Sequence, residues 1–237
     1  MTQTRLIIGS RGSPLALAQS RMVGEALEQA HGWPAGSIEI LTVKTSGDRI
    51  QDRPLADVGG KALWTKELDL ALLAGTTHCS VHSMKDVESE RPPALAIAAM
   101  LPRADVRDRL IGAASIGDLP EGARVGTSSP RRAAQLKRLR GDLEIHSIRG
   151  NVDTRIAKRE AGDVDATLLA AAGLDRLGRE GVGIPIPVDE MLPAPAQGAI
   201  GIECRSDDAR TLRLLEAIDH RPTHQAVLAE RAFCRAL

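Results

Sequence analysis

Aromatic side chains are nearly absent from this sequence: they make up 1% of the chain, as two tryptophans, one phenylalanine and no tyrosine. There is also no excess of charge, because 31 lysines and arginines balance 31 aspartates and glutamates. Proteins that bind nucleic acid usually combine a basic surface with aromatic platforms on which bases stack. This composition provides neither, so nucleic acid is not expected as a partner.

No stretch of the sequence is apolar for long enough to cross a bilayer. The longest such run, residues 93–101, falls far short of the roughly 20 residues that a membrane-spanning helix needs. The first residues contain no apolar signal core. Cysteines are scarce too: Cys79, Cys204 and Cys234 are widely separated, which is typical of free thiols in a reducing compartment. We therefore expect a cytoplasmic protein with no membrane partner and no disulfide framework.

The length and the hydrophobic fraction, 237 residues and 43%, favour two adjacent cores. Strand-like runs alternate with helical ones, which predicts α/β lobes with largely parallel sheets. Segments rich in proline and small residues, around 100–108 and 185–198, predict two crossings between the lobes. We expect one lobe from 1–99 plus 200–219 and a second from 105–193. Ligands in such folds bind in a hinged cleft.

Two segments repeat one pattern of strand, glycine, hydroxyl residues, proline and helix: IIGSRGSPLALAQ (7–19) and RVGTSSPRRAAQL (124–136). Serine can cap such a helix, and proline at the first helical position costs no hydrogen bond. The unpaired N–H groups at a helix start attract anions. The repeat therefore predicts an anion site in each lobe. The alternative is a pair of ordinary capped helix starts.

Arginines concentrate near these segments. Arg131 and Arg132 fall in the first turn of a predicted helix, where the helix dipole disfavours each cation by about 0.3–1 kcal/mol. A negative group is therefore expected beside them. Arg11 stands at the first repeat, and Arg149 and Arg155 follow a later strand. Arginine suits planar carboxylates and phosphates because it donates two parallel hydrogen bonds, so these residues indicate a site for such anions.

The segment VHSMKDV places Lys85 and Asp86 at the end of a predicted strand, where open α/β sheets bind ligands. A carboxylate there is suited to stabilise a cationic intermediate or to handle protons on a substrate nitrogen. The alternatives are an ion pair with Lys85 or a helix cap. His78 and His82 lie near Cys79, but on a strand the cysteine faces the opposite side, so no metal site is expected.

Seven motifs, in order, resemble the porphobilinogen deaminase (hydroxymethylbilane synthase) family: GSRGSPLALAQ, DVGGKALWTKELDLALL, VHSMKDV, VGTSSPRRAAQL, IRGNVDTR, LAAAGLDRLG and PAPAQGAIGIECR. The resemblance implies two lobes similar to type II periplasmic binding proteins and a small third α/β domain. It implies a transferase of tetrapyrrole and haem biosynthesis. Such an enzyme condenses four porphobilinogen molecules into hydroxymethylbilane, through linear pyrrole intermediates and with release of ammonia. The resemblance implies a covalent dipyrromethane cofactor, and we expect this chain to be a monomer.

The resemblance also implies residue roles. Asp86 matches the catalytic aspartate. The positions that hold carboxylates of substrate and cofactor match Arg11, Ser13, Lys85, Thr127, Ser128, Ser129, Arg131, Arg132, Arg149 and Arg155. The positions of a mobile loop and of chain elongation match Gly59, Gly60, Lys61 and Arg176.

The sequence departs from the family in several places. It ends at Leu237, before the loop with the cofactor cysteine, so 220–237 is expected to be the first helix of an otherwise missing third domain. No cysteine matches the attachment site, and we expect impaired activity. Trp64 stands where phenylalanine is usual, and Ala196 where glycine often precedes the glutamine. The alternative function is a two-lobed module that binds a small polycarboxylate without turnover.

Overall fold

The computed structural model of the chain describes residues 5–45 and 63–237. These residues divide into two compact units. The first unit consists of 5–45, 63–104 and 198–237, and the second of 105–197. The predicted hinged cleft and the assignment of 220–237 to a third domain stay predictions.

The described strands are, in chain order, β1 (Leu6–Ser10), β2 (Ile38–Thr42), β3 (Cys79–Ser83), β4 (Leu95–Met100), β5 (Asp108–Ile111), β6 (Arg124–Gly126), β7 (Glu144–His146), β8 (Ala166–Ala170), β9 (Ile184–Pro185) and β10 (Ile200–Arg205). The described α-helices are α1 (Pro14–His31), α2 (Lys66–Leu73), α3 (Pro130–Leu139), α4 (Val152–Glu160), α5 (Ala171–Asp175), α6 (Ala209–Glu216) and α7 (Arg221–Ala236). A 3-10 turn, Met84–Asp86, follows β3 directly. No helix among the described residues is long and apolar enough to cross a membrane.

Each unit contains a five-stranded sheet of the same design. The strand order is β2-β1-β3-β10-β4 in the first unit and β7-β6-β8-β5-β9 in the second. Among the described strands, only β10 in the first sheet and only β5 in the second run against their neighbours. Each reversed strand is the first one after the chain passes from one unit to the other. The predicted sheets are thus largely parallel, with one reversed strand each that the sequence did not indicate.

Both repeated segments form capped helix starts. The Ser13 hydroxyl accepts a hydrogen bond from the Ala16 amide at 3.3 Å, and proline opens α1. The Ser129 hydroxyl accepts one from the Arg132 amide at 3.4 Å, and proline opens α3. The local prediction of strand, serine cap and helix is therefore confirmed in both units.

Apolar side chains between sheet and helices form a separate core in each unit. In the first unit Ile8 of β1 and Ile202 of β10 pack with Val23 and Leu27 of α1. Each of these side chains is fully buried and contributes about 1.5–3 kcal/mol to stability. Strands β5, β6 and β8 build the second core with α3 in the same way. The cores fix the strand ends from which the candidate site residues extend.

Ala196 lies at the end of the second unit and has a backbone φ of 59°. This left-handed conformation is one that glycine adopts without steric cost and alanine does not. The next residue, Gln197, donates hydrogen bonds to the Val106 carbonyl and the Asp108 carboxylate.

Candidate functional site

A small cavity of about 60 Å³, partly open to solvent, lies in the first unit at the carboxyl ends of β1 and β3. Three of the predicted site residues, Arg11, Ser13 and Asp86, line it together. Lys85 precedes Asp86 in the 3-10 turn, and both side chains are exposed. The cavity therefore combines a carboxylate with a guanidinium and a hydroxyl at the edge of the sheet that the sequence indicated.

The turn with Asp86 is anchored to the reversed strand β10. The Met84 amide donates a hydrogen bond to the Ala199 carbonyl at 3.1 Å, and the Met84 side chain is buried over Gly201. A Cβ at position 201 would lie 2.8 Å from Met84 Cγ and overlap Sδ. Glycine is therefore needed at 201 so that Met84 can approach the strand and fix the turn.

Replacing Gly201 by alanine is expected to displace Met84 and to shift the turn with Asp86. Overpacking of this kind costs about 1–3 kcal/mol of stability. The matched control is Gly181→Ala, because a Cβ at 181 meets no atom within 4 Å and Gly181 has an ordinary φ. Urea unfolding and steady-state kinetics of both variants test the prediction. A Gly201→Ala protein as stable and as active as the control would contradict it.

Gln19 and Ser83 close one side of the cavity. The Gln19 Nε2 donates to Ser83 Oγ at 2.9 Å, and Ser83 Oγ lies 3.1 Å from Gln19 Oε1. This exchange ties the first turns of α1 to the end of β3. Both residues line the cavity, yet the sequence reasoning missed them. Both residues are polar positions within runs that form a helix and a strand, and the sequence carried no further signal of their pairing.

A buried ionic cluster lies next to the cavity. Arg91 donates to Glu203 through Nε at 2.8 Å and through Nη2 at 2.9 Å, and it also contacts Asp69 and Glu88. His82, which lines the cavity, has its Nε2 at 3.2 Å from Glu203. Burial favours a higher pKa for Glu203, but His82 and Arg91 outweigh it and lower that pKa to about 2. Burial raises the pKa of Asp69, although Arg91 opposes the change.

In the second unit a single buried carboxylate organises the arginines at the start of α3. Arg132 donates to Asp108 at 2.7 and 3.2 Å, Arg131 donates to it at 2.7 Å, and Gln197 at 2.9 Å. Burial favours a higher pKa for Asp108, but the two arginines lower it to about 2. The negative group that the sequence predicted beside these arginines is thus part of the chain. Arg132 is 5% exposed and also bonds the Leu168 carbonyl, so its described contacts are internal.

The remaining predicted residues of the second unit lie on two connected turns and on α4, the helix that follows the second turn. Ser128 Oγ donates to the Ile148 carbonyl at 2.6 Å, which joins the turn before α3 to the residue preceding Arg149. Arg155 Nε donates to the Gly150 carbonyl at 3.0 Å. Within the first turn, Thr127 Oγ1 accepts from the Ser129 amide. The serines and arginines of this predicted set are therefore neighbours in the structure as well.

Arg176 lies just after α5 and is largely buried. Burial lowers the pKa of its guanidinium to about 10, and Asp175 partly opposes that change. Gly59, Gly60 and Lys61, predicted as a loop, lie outside the described residues. Among residues 5–45 and 63–237, no three histidine, cysteine or acidic side chains are grouped so that they could hold a metal ion.

The depressed pKa values of Asp108 and Glu203 predict how stability depends on pH. Both groups ionise at lower pH when folded, so their contribution is fully present above their unfolded pKa values, about 3.9 and 4.3, and is lost as pH falls towards 2. The free energy of unfolding should therefore drop between pH 5 and pH 3. Urea titrations at pH 7, 5 and 3 measure it, and an equal stability at pH 5 and 3 would contradict the prediction.

Comparisons with known proteins show which family the chain resembles over nearly its whole length. Residues 6–213 match the family model described as "Porphobilinogen deaminase, dipyromethane cofactor binding domain". A porphobilinogen deaminase of Sphingopyxis alaskensis is 59% identical over 98% of this chain and 75% of its own length. One from Paracoccus denitrificans is 51% identical over 99% of this chain and 76% of its own length.

Solved structures show the same fold at low identity. The methionine-binding protein MetQ matches with a TM-score of 0.55 at 11% identity, over 95% of this chain and 96% of its own. The immunogenic lipoprotein A of Vibrio vulnificus matches with a TM-score of 0.52 at 11% identity, over 95% of this chain and 99% of its own. These likenesses confirm the predicted fold class. The family model and the relatives establish that the chain belongs to the porphobilinogen deaminase family, as a member with the dipyrromethane cofactor-binding domain.

Proposed function

We propose that this chain condenses porphobilinogen into hydroxymethylbilane with release of ammonia, and that Asp86 is its catalytic residue. The observation that carries the assignment is the position of Asp86 at the rim of the cavity after β3, with Arg11 and Ser13 in the same cavity. Arginine and hydroxyl donors suit the carboxylate groups of a pyrrole substrate. The negatively charged Asp86 then stabilises the positive charge that develops on the substrate during the reaction.

The chemistry requires a carboxylate near the substrate nitrogen. As the carbon–nitrogen bond of the protonated aminomethyl group breaks, ammonia leaves with the bonding electron pair, and positive charge develops on the remaining methylene carbon and its pyrrole ring. Asp86 stabilises that charge where it forms. A pyrrole carbon of the acceptor then forms the new carbon–carbon bond and loses its proton, which restores its aromatic ring. In this proposal Asp86 also accepts a hydrogen bond from the pyrrole N–H throughout the reaction.

The second unit fits the carboxylate groups of a dipyrromethane. Ser128 and Arg149 lie on two joined turns, and Arg155 of α4 donates back to the second of them at Gly150. The Nε of Arg131 is buried without a hydrogen-bond partner among the described residues. We propose that Arg131, Arg149 and Arg155 hold the cofactor's carboxylates, while the Ser128 hydroxyl, which donates to the Ile148 carbonyl, keeps the two turns together. When bound, a dipyrromethane supplies the pyrrole carbon to which the first substrate is joined. The arginines bind and orient, and no acid–base role is assigned to them.

Removal of one of these arginines should weaken ligand binding measurably. Arg149→Ala is expected to cost about 1.5–3 kcal/mol of binding free energy for a dipyrrole, as for other charge-assisted hydrogen bonds. Affinity for the wild-type chain should also fall with added salt. Arg138→Ala is the control, because Arg138 is exposed in the last turn of α3. Calorimetric titration measures both, and equal affinities for the two variants would refute the assignment.

The function itself is tested by incubating the 237-residue chain with porphobilinogen, alone and with an added preformed dipyrrole. Ammonia and linear tetrapyrrole are measured together. Ammonia release in either condition supports the enzyme. Binding of porphobilinogen with no ammonia in both conditions would instead support a polycarboxylate-binding module.

We also propose a cytoplasmic location, since Cys79, Cys204 and Cys234 all have free thiols, as expected in a reducing compartment.

A further inference from the structure

Trp64 and Arg11 form a stacked pair in the cavity of the first unit. The guanidinium carbon of Arg11 lies over the Trp64 ring, 4.0 Å from its centroid, and both side chains line the cavity. At this separation a guanidinium is attracted to the negative face of the indole ring. In a chain with two tryptophans, one of them is therefore placed against a predicted substrate-binding arginine.

Hydrogen bonds of the neighbouring residue fix the backbone next to Trp64. The next residue, Thr65, is fully buried, and its hydroxyl donates to Glu88 at 3.2 Å and accepts from Arg91 at 3.3 Å. Arg91 is in turn bonded to the buried Glu203. The backbone beside Trp64 is thus tied to the ionic cluster. Because the backbone beside Trp64 is fixed in this way, the indole ring offers a rigid surface on which the longer and more flexible Arg11 side chain can stack.

Stacking suits an arginine that must bind a carboxylate. A guanidinium stacks on a ring through its flat face, whereas its N–H groups donate paired hydrogen bonds from its edges, in the plane of the group. The stack therefore restricts the orientation of the group without competing for those donors. An arginine that is already oriented loses less conformational entropy when a ligand binds.

We propose that Trp64 is a positioning residue that holds Arg11 in the orientation required for binding a substrate carboxylate. The inference rests on the proposed role of Arg11. Loss of the ring should therefore weaken binding through Arg11 and leave the bond-breaking step nearly unchanged. Phenylalanine, which keeps an aromatic face, should replace tryptophan better than leucine of similar hydrophobicity.

The test is a double-mutant cycle on porphobilinogen binding and on KM and kcat. Trp64→Leu is expected to raise the dissociation constant and KM by about 5- to 30-fold, and Trp64→Phe by less than about threefold, with kcat changed less than twofold in both. In an Arg11→Gln background, Trp64→Leu should have almost no further effect. A full additional effect of Trp64→Leu in that background would overturn the inference, because the ring would then act on the ligand by itself.

The second tryptophan provides the control. Trp33 lies against Arg5 at 5.4 Å and stacks on His31, away from the residues that line the cavity. Trp33→Leu should leave the affinity for porphobilinogen unchanged.

A fluorescence experiment tests the stack directly. In a Trp33→Phe protein Trp64 is the sole tryptophan, and Arg11→Gln should change its fluorescence without any ligand present. An unchanged spectrum would contradict the stacking of Arg11 on Trp64. A changed spectrum with unchanged affinity would instead refute the binding role of Arg11 in the proposed function.

Discussion

Asp86→Asn is expected to lower kcat for ammonia release by about 100-fold or more, while KM changes less than about threefold. Removing one preorganised group that stabilises transition-state charge typically costs about 2.7–4 kcal/mol of activation free energy. Asparagine has nearly the same shape and keeps an oxygen that accepts hydrogen bonds, but it lacks the negative charge. The loss should therefore appear in the chemical step and not in substrate binding, which the arginines provide.

The control for this variant is Asp207→Asn in the same unit. Asp207 is 82% exposed and pairs with Arg205 at the surface. Neutralising it changes the net charge by the same amount without touching the cavity, so kcat should stay within about twofold. Stopped-time ammonia assays at saturating porphobilinogen compare the two. An Asp86→Asn protein that keeps a third or more of the wild-type kcat would remove Asp86 from the catalytic role.

Asp108→Ala is expected to destabilise the chain by about 3–5 kcal/mol, the usual cost of removing one partner from a buried ion pair. The variant leaves the guanidinium of Arg132 buried without its counter-charge, at the start of a helix whose dipole already disfavours cations. The neighbouring Arg131 loses its bond as well. Because a typical domain has only about 5–15 kcal/mol of stability, this change alone approaches complete unfolding.

Two further variants separate this effect from general damage. Asp108→Asn keeps the shape and one acceptor, so it should fold and lose less stability than alanine. Asp142→Ala removes a partly exposed ion pair with Arg140, which should cost no more than about 1 kcal/mol. Urea unfolding at pH 7 measures all three. A loss below about 1 kcal/mol for both Asp108 variants would show that the carboxylate does not organise the arginines.

Much of the fold was predictable because its signals are local. Ser13 and Ser129 each stand directly before a proline and a helical run, and a cap depends only on residues three positions away. The position of Asp86 at the end of a strand followed from the same kind of short pattern. Motif order, read along the chain, was enough to identify the family and the predicted site residues.

The ionic partners could not be predicted, because they come together only through the tertiary fold. Asp108 of β5 meets Arg132 of α3, and Glu203 meets Arg91 only after the chain has passed to the second unit and back. A charged residue inside an apolar strand, as Glu203 is in β10, was a signal that some partner exists, since burying an unpaired charge is costly. It did not indicate which residue that partner is. The reversed strands β5 and β10 were unpredictable for the same reason.

The most direct test of the proposed site is a crystal structure of the Asp86→Asn chain with porphobilinogen bound, because this variant should bind the substrate but turn it over slowly. The aminomethyl nitrogen or the pyrrole nitrogen is expected within hydrogen-bonding distance of the side chain at position 86. A substrate carboxylate should contact Arg11 in the same cavity. Porphobilinogen bound elsewhere, with neither nitrogen near position 86, would contradict the assignment of this cavity as the catalytic site.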